Sequence, residues 1–76
     1  MSHVPSRTFS GERFRVLRKS AGYTETSLSA VIGINRVTIN AWARGVVSPS
    51  LKSVLVLADV LGCRIDDLFV EVDRVA

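Results

Sequence analysis

A chain of 76 residues has room for one domain, buries only about 60–65% of its unfolded surface, and leaves no length for a separate ligand-sensing domain. Apolar residues make up 47% of it and the mean hydropathy is +0.30, high for so small a globule, so part of the surface is expected to lie against a second copy or another partner. The formal net charge of +3 is unevenly divided: residues 1–36 carry six basic side chains to two acidic ones, residues 37–76 four to five, a division suited to facing a polyanion with one end.

Residues 1–9 include Pro5 and small polar residues without periodicity and read as a flexible arm, in which His3 has no evident role. A first helix is expected from Ser10 or Gly11 to Ala21, with Phe14, Leu17 and Ala21 on one face and Gly22 ending it in a left-handed conformation. Thr24 can cap a second helix in which Leu28, Val31 and Ile32 follow the i, i+3, i+4 period until Gly33 breaks the run. Asn35 offers the next cap, and Ile34, Ile39 and Trp42 resume the apolar pattern up to Arg44 and Gly45. Two short helices joined by so tight a turn are a helix-turn-helix, the unit that sets a helix into a DNA major groove. Ser48 and Pro49 are read as the cap and first position of a fourth helix whose buried stripe is Leu51, Val54, Leu55, Ala58 and Leu61, ended by Gly62. Ile65, Leu68 and Phe69 suggest one more helical turn, with Asp66 and Asp67 near its N-terminus. The tail 70–76 alternates apolar and charged residues, as a strand able to pair with its own copy would, yet Phe69, Val72 and Val75 also fit one helical face; a frayed end is the third reading. The expected organisation is an arm over 1–9, a DNA-binding domain over 10–69 and a dimerising tail over 70–76.

Several functions are disfavoured by the same residues. No apolar run approaches the ~18 residues of a membrane span and no signal-peptide block is visible, so a soluble cytoplasmic protein, on the nucleoid when bound to DNA, is expected without membrane contact. Cys63 stands alone at an apolar position, which excludes an internal disulfide and a multi-cysteine zinc site and marks it as a core filler. With one histidine and no phosphate-cradling glycine loop, the chain is not expected to be an enzyme, to hold a metal or cofactor, or to take a small-molecule ligand.

The runs Gly11-Glu12-Arg13-Phe14-Arg15-Val16-Leu17-Arg18 and Ala21-Gly22-Tyr23-Thr24, then Leu28, Gly33, Arg36, Thr38-Ile39, Arg44-Gly45, Pro49-Ser50-Leu51, Leu57-Ala58, Leu61-Gly62 and Asp66-Asp67-Leu68-Phe69 carry a family resemblance. Over residues 11–69 the chain resembles the Cro/CI-type (XRE) helix-turn-helix domains of phage and bacterial transcription regulators. The resemblance implies an all-α bundle of four to five short helices, with helices 2 and 3 forming the motif and helix 3 entering the major groove.

On that scaffold Arg36 begins helix 3, where its planar fork can take guanine O6 and N7 together or, failing that, a phosphate. Val37 and Ala41 share the exposed face and suit thymine methyl groups, while Asn40 can reach a base edge or a phosphate. Thr24 with the first amides of helix 2 forms a natural phosphate site, and Asn35, Thr38, Arg44, Ser48, Ser50 and Lys52 are placed to add backbone contacts. Arg7 could reach a minor groove, although a free surface arginine is the commoner outcome. A dimer contact is expected through Phe69, Val70, Val72 and Val75. The chain departs from the family pattern at Glu25, where a glutamine is usual, at Ala43, where an acidic partner for Arg18 is usual, and at Ser29, where alanine is usual.

The function these residues favour is a dimeric regulator of transcription, more readily a repressor than an activator, reading an inverted repeat in double-stranded DNA. The alternative is an antitoxin-like or partner-binding module whose C-terminal segment docks another protein. Structured RNA is a poor third, because the chain offers no aromatic stacking platform.

Overall fold

The computed structural model describes residues 3–75. In chain order it has strand β1 (His3–Phe9), helices α1 (Gly11–Ser20), α2 (Glu25–Ile32), α3 (Arg36–Ala43) and α4 (Leu51–Leu61), a 3-10 turn over Ile65–Leu68, and strand β2 (Phe69–Val75). The helical expectation holds for the four helices and the short turn after them, and the open question about the tail resolves to a strand.

Local chemistry explains the helix boundaries. Ser10 caps α1 by accepting from Arg13 N at 3.1 Å, and Thr24 caps α2 reciprocally with Ser27, each side chain serving the other's backbone N–H. Asn35 caps α3 through Val37 N at 2.7 Å. Between α2 and α3, Gly33 sits at φ 72°, a left-handed conformation that glycine adopts without steric cost, and the Ser29 hydroxyl donates to the Ile34 carbonyl at 2.6 Å across the turn.

The fourth helix departs from expectation in two ways. Its cap is Ser50, which accepts from Ser53 N at 3.2 Å, so Ser48 and Pro49 lie in the loop before it. Its buried residues are Val54, Leu57, Ala58 and Leu61, while Leu51 is 71% exposed and Leu55 46%. Eight of the eleven residues in LKSVLVLADVL are apolar, so the helical period admits more than one stripe, and the core has room for one.

The core joins Phe14 of α1, Leu28 of α2, Ile39 and Trp42 of α3, Val54, Leu57 and Leu61 of α4, and Leu68 of the 3-10 turn. Phe14 and Trp42 meet edge to face with ring centroids 6.1 Å apart. The start of α1 lies directly against the end of α3: a Cβ on Gly11 would stand 2.5 Å from the carbonyl oxygens of both Trp42 and Ala43.

The terminal segments correct two expectations. Residues 3–9, read as a flexible arm, form a strand, and the tail pairs with that strand of its own chain: β1 and β2 run antiparallel with Phe9 opposite Phe69, Arg7 opposite Glu71 and Ser6 opposite Val72. Phe9 and Phe69 point to the core side, where Phe9 meets Phe69 edge to face at 6.1 Å and Phe14 at 5.9 Å. Ser10 N donates to Leu68 O at 2.9 Å, closing the end of the ribbon nearest the helices. Pairing so remote in sequence leaves no local periodic signal in residues 1–9, since short polar strands carry little beyond their partner.

Gly11→Ala is expected to destabilise the domain by about 1–3 kcal/mol, because the methyl meets backbone carbonyls that cannot step aside, despite alanine's better helix propensity. Chemical denaturation of the two proteins measures the difference; equal midpoints would refute the close approach.

Candidate nucleic-acid interface

Burial of Ile39 and Trp42 fixes which way α3 faces. The opposite side carries Arg36 and Val37, both exposed, flanked by half-buried Asn40 and Ala41, so the four residues expected to read bases share one face. Val37, at 69% exposure, has no partner in the core and is a large apolar side chain held in solvent. Thr38 is half-buried, like Asn40 and Ala41.

Beside this face lies the N-terminus of α2. Thr24 and Ser27 satisfy one another, leaving the N–H groups of Glu25 and Thr26 at the start of the helix without intrahelical partners. Glu25 reaches across to α3, where Asn40 Nδ2 donates to its Oε2 at 3.0 Å. Asn35 is committed to capping α3, and Ser50 to capping α4 with a further bond from its hydroxyl to Ser53 Oγ at 3.2 Å. Arg44 and Ser48 are exposed beyond the end of α3. Lys52 is exposed and, with Ile32, Ile34, Ser53 and Val56, lines a cleft of about 280 Å³ between the helix-turn-helix and α4.

Arg18 has found another partner in place of the acidic residue absent at Ala43. It is only 7% exposed, its Nη1 donates to Tyr23 O at 2.7 Å, and its Nε has no hydrogen-bond partner. Among the described residues no carboxylate lies within ion-pair distance of it; the pair present is Arg7 with Asp66, at 3.1 Å and largely exposed. Arg7 is thereby tied to the 3-10 turn, since it also donates to Asp66 O at 3.2 Å. An ion pair so exposed contributes little stability.

Of the residues expected at a dimer contact, Val70 and Val72 are exposed on the ribbon face away from Phe9 and Phe69, while Phe69 is half-buried against the core. The side chain of Val75 lies outside the described residues. Sequence reading missed the Glu25–Asn40 bond, which joins residues from two helices, and the outward leucines of α4.

Cys63 is half-buried; burial raises its thiol pKa, with the nearby Asp67 carboxylate adding to the rise and Arg13 opposing it, so the side chain stays protonated near neutral pH. Among the described residues no cluster of three or more histidine, cysteine or acidic side chains is placed to hold a metal, and no helix is long and apolar enough to cross a membrane.

Comparison with known proteins places this arrangement. The helix-turn-helix family HTH_3 matches residues 14–68. The HTH-type transcriptional regulator DicA of Escherichia coli (strain K12) is 38% identical over 53 residues, which is 70% of this chain but only 39% of DicA, so the chain spans about two-fifths of that relative. An uncharacterized HTH-type transcriptional regulator of Archaeoglobus fulgidus is 36% identical over 58 residues, covering 76% of this chain and 83% of the relative. In three dimensions the chain is similar to the restriction-modification controller protein C.AhdI of Aeromonas hydrophila, with a TM-score of 0.70 and 31% identity over 76% of this chain and 88% of that one.

Thr24→Ala removes the hydroxyl that accepts from Ser27 N and is expected to cost about 1 kcal/mol of stability, with Thr24→Ser restoring most of it. Thermal denaturation of the three proteins checks this; an alanine variant as stable as the parent would refute the cap.

Proposed function

This chain belongs to the helix-turn-helix family, and on that premise we propose that it is a transcriptional regulator, in the first instance a repressor, that binds an inverted-repeat operator in double-stranded DNA as a homodimer. The observation that carries the reading is the division of α3: Ile39 and Trp42 are spent on the core, while Arg36, Val37, Asn40 and Ala41 stand together on the side beside the α2 N-terminus. Arg36 supplies the fork for a guanine edge, Val37 and Ala41 supply contacts for thymine methyl groups, and Lys52, Arg44 and the free amides of α2 supply phosphate contacts that set the register. Relatives named as regulators of transcription, and a structural neighbour named as a controller protein, support the same class. Repression then follows from occupancy of a promoter, with response set by protein concentration through dimerisation. Val70 and Val72, apolar and exposed on one face of the ribbon, are the dimer contact proposed here.

The exposed Val70 and Val72 also favour a second reading, in which β2 offers its apolar face and open edge to another protein and DNA binding is secondary. Sedimentation of the purified chain separates the two, since a monomer at every concentration disfavours the self-dimer.

Selection from random duplex DNA tests the main reading; an enriched inverted repeat supports it and failure to distinguish any sequence from random DNA overturns it. Within a selected site, Arg36→Ala is expected to lose about 1–3 kcal/mol of discrimination at one base pair. Lys52→Ala is expected to weaken all sequences alike and to reduce the salt slope by about one. Val72→Glu should lower dimerisation and DNA affinity together; unchanged sedimentation and binding would remove the ribbon from the interface.

A further inference from the structure

The hydrogen bond between α2 and the exposed side of α3 is more informative than its length alone. Glu25 and Asn40 are both half-buried, and Asn40 Nδ2 lies 3.0 Å from Glu25 Oε2. An ionised carboxylate can only accept, so it decides which way round the asparagine amide lies: nitrogen toward α2, oxygen away from it. A neutral glutamine or a water in the same place could either donate or accept and would leave the amide free to turn over. Among the described residues Glu25 forms no ion pair, so its charge is held beside the recognition face with Asn40 as its hydrogen-bonding partner.

We infer that Glu25 is a positioning residue for base recognition: by holding one N–H of Asn40, it presents Asn40 Oδ1 as an acceptor and so makes this position select a base carrying an exocyclic amine, adenine N6 or cytosine N4. The inference rests on the DNA-reading function proposed above. An Asn40 whose oxygen leads is satisfied by an amine in the major groove and repelled by guanine O6 or thymine O4, which are themselves acceptors. With one of its two N–H groups already engaged, the amide cannot turn both donors to guanine O6 and N7. The same carboxylate repels phosphates nearby, so Glu25 lowers affinity for all DNA while sharpening the choice at one base pair. Base selectivity and general affinity therefore respond to Glu25 in opposite directions, which a merely structural role would not produce.

The test compares the parent with Glu25→Gln, Glu25→Ala and Asn40→Ala, using binding to the selected duplex and to its three variants at each base pair, with thermal denaturation as a control for folding. The parent is expected to prefer an amine-bearing base at one position by about five-fold or more. Both Glu25 variants and Asn40→Ala should reduce that preference below about two-fold at the same base pair, with Glu25→Gln also tightening binding to unrelated DNA. Combining Glu25→Gln with Asn40→Ala should cause no further loss of preference there. A parent that selects a site, with variants that keep its base-pair profile and merely shift affinity or melting, would overturn the inference while leaving the proposed function standing. A parent that selects no sequence would overturn both.

Discussion

The close contact between α1 and α3 is the constraint on which the rest of the molecule depends. Gly11 lies against the Trp42 and Ala43 carbonyls, and Phe14, three residues on, sets its ring edge to face against Trp42. Burying Phe14, Leu28 and Ile39 completely is worth about 1.5–3 kcal/mol each relative to exposure, a large share of what so short a chain can gather. The inward half of α3 is therefore fixed by folding. The outward half is released from it, which is why Val37 can remain apolar and exposed without a packing role, and why substitutions there are expected to cost little stability.

The same aromatic packing extends to the ribbon. Phe69, Phe9, Phe14 and Trp42 form a chain of successive ring contacts, so β1 and β2 are anchored to the helical core through the end where they begin and finish. An isolated two-stranded ribbon is marginal in water, and the Arg7–Asp66 pair is too exposed to change that balance. Its stability thus comes from the aromatic end and the Ser10–Leu68 backbone bond. Val70 and Val72, on the other face, add nothing to this anchoring and are left as apolar surface.

What was legible in the sequence follows the range of the interactions. Thr24, Asn35 and Gly33 act on residues within four of themselves, and their types announced the ends of α2 and α3 correctly. Ser50 was displaced by two residues because Ser48 followed by proline is an equally good local signal, and only the final packing of α4 chooses between them. Leu51 and Leu55 were misassigned for a related reason: a helix apolar around most of its circumference does not say which side is covered. Strand β1 was illegible, because its partner lies some sixty residues away and its own residues, HVPSRTF, show no clean alternation of polar and apolar types. The face of α3 was readable from Ile39 and Trp42 alone, whereas the bond that links Asn40 to Glu25 appears only when two helices are brought to a fixed angle.

Electrostatics at the start of α2 limit how the protein can hold a phosphate. The helix N-terminus offers two unpaired amides and a partial positive charge, yet Glu25 places a full negative charge in that first turn and favours the helix itself more than any incoming anion. Arg18 does not offset it, being buried and turned to the Tyr23 carbonyl. Phosphate anchoring in the proposed complex accordingly leans more on the exposed cations Arg44 and Lys52 than on the amides of α2. Two protomers sharing one inverted repeat double that set, and the second half-site is then met at high effective concentration. The negative charge beside α3 is thus consistent with the paired assembly proposed above, in which the apolar face of the ribbon and the proposed reading of bases by α3 act together.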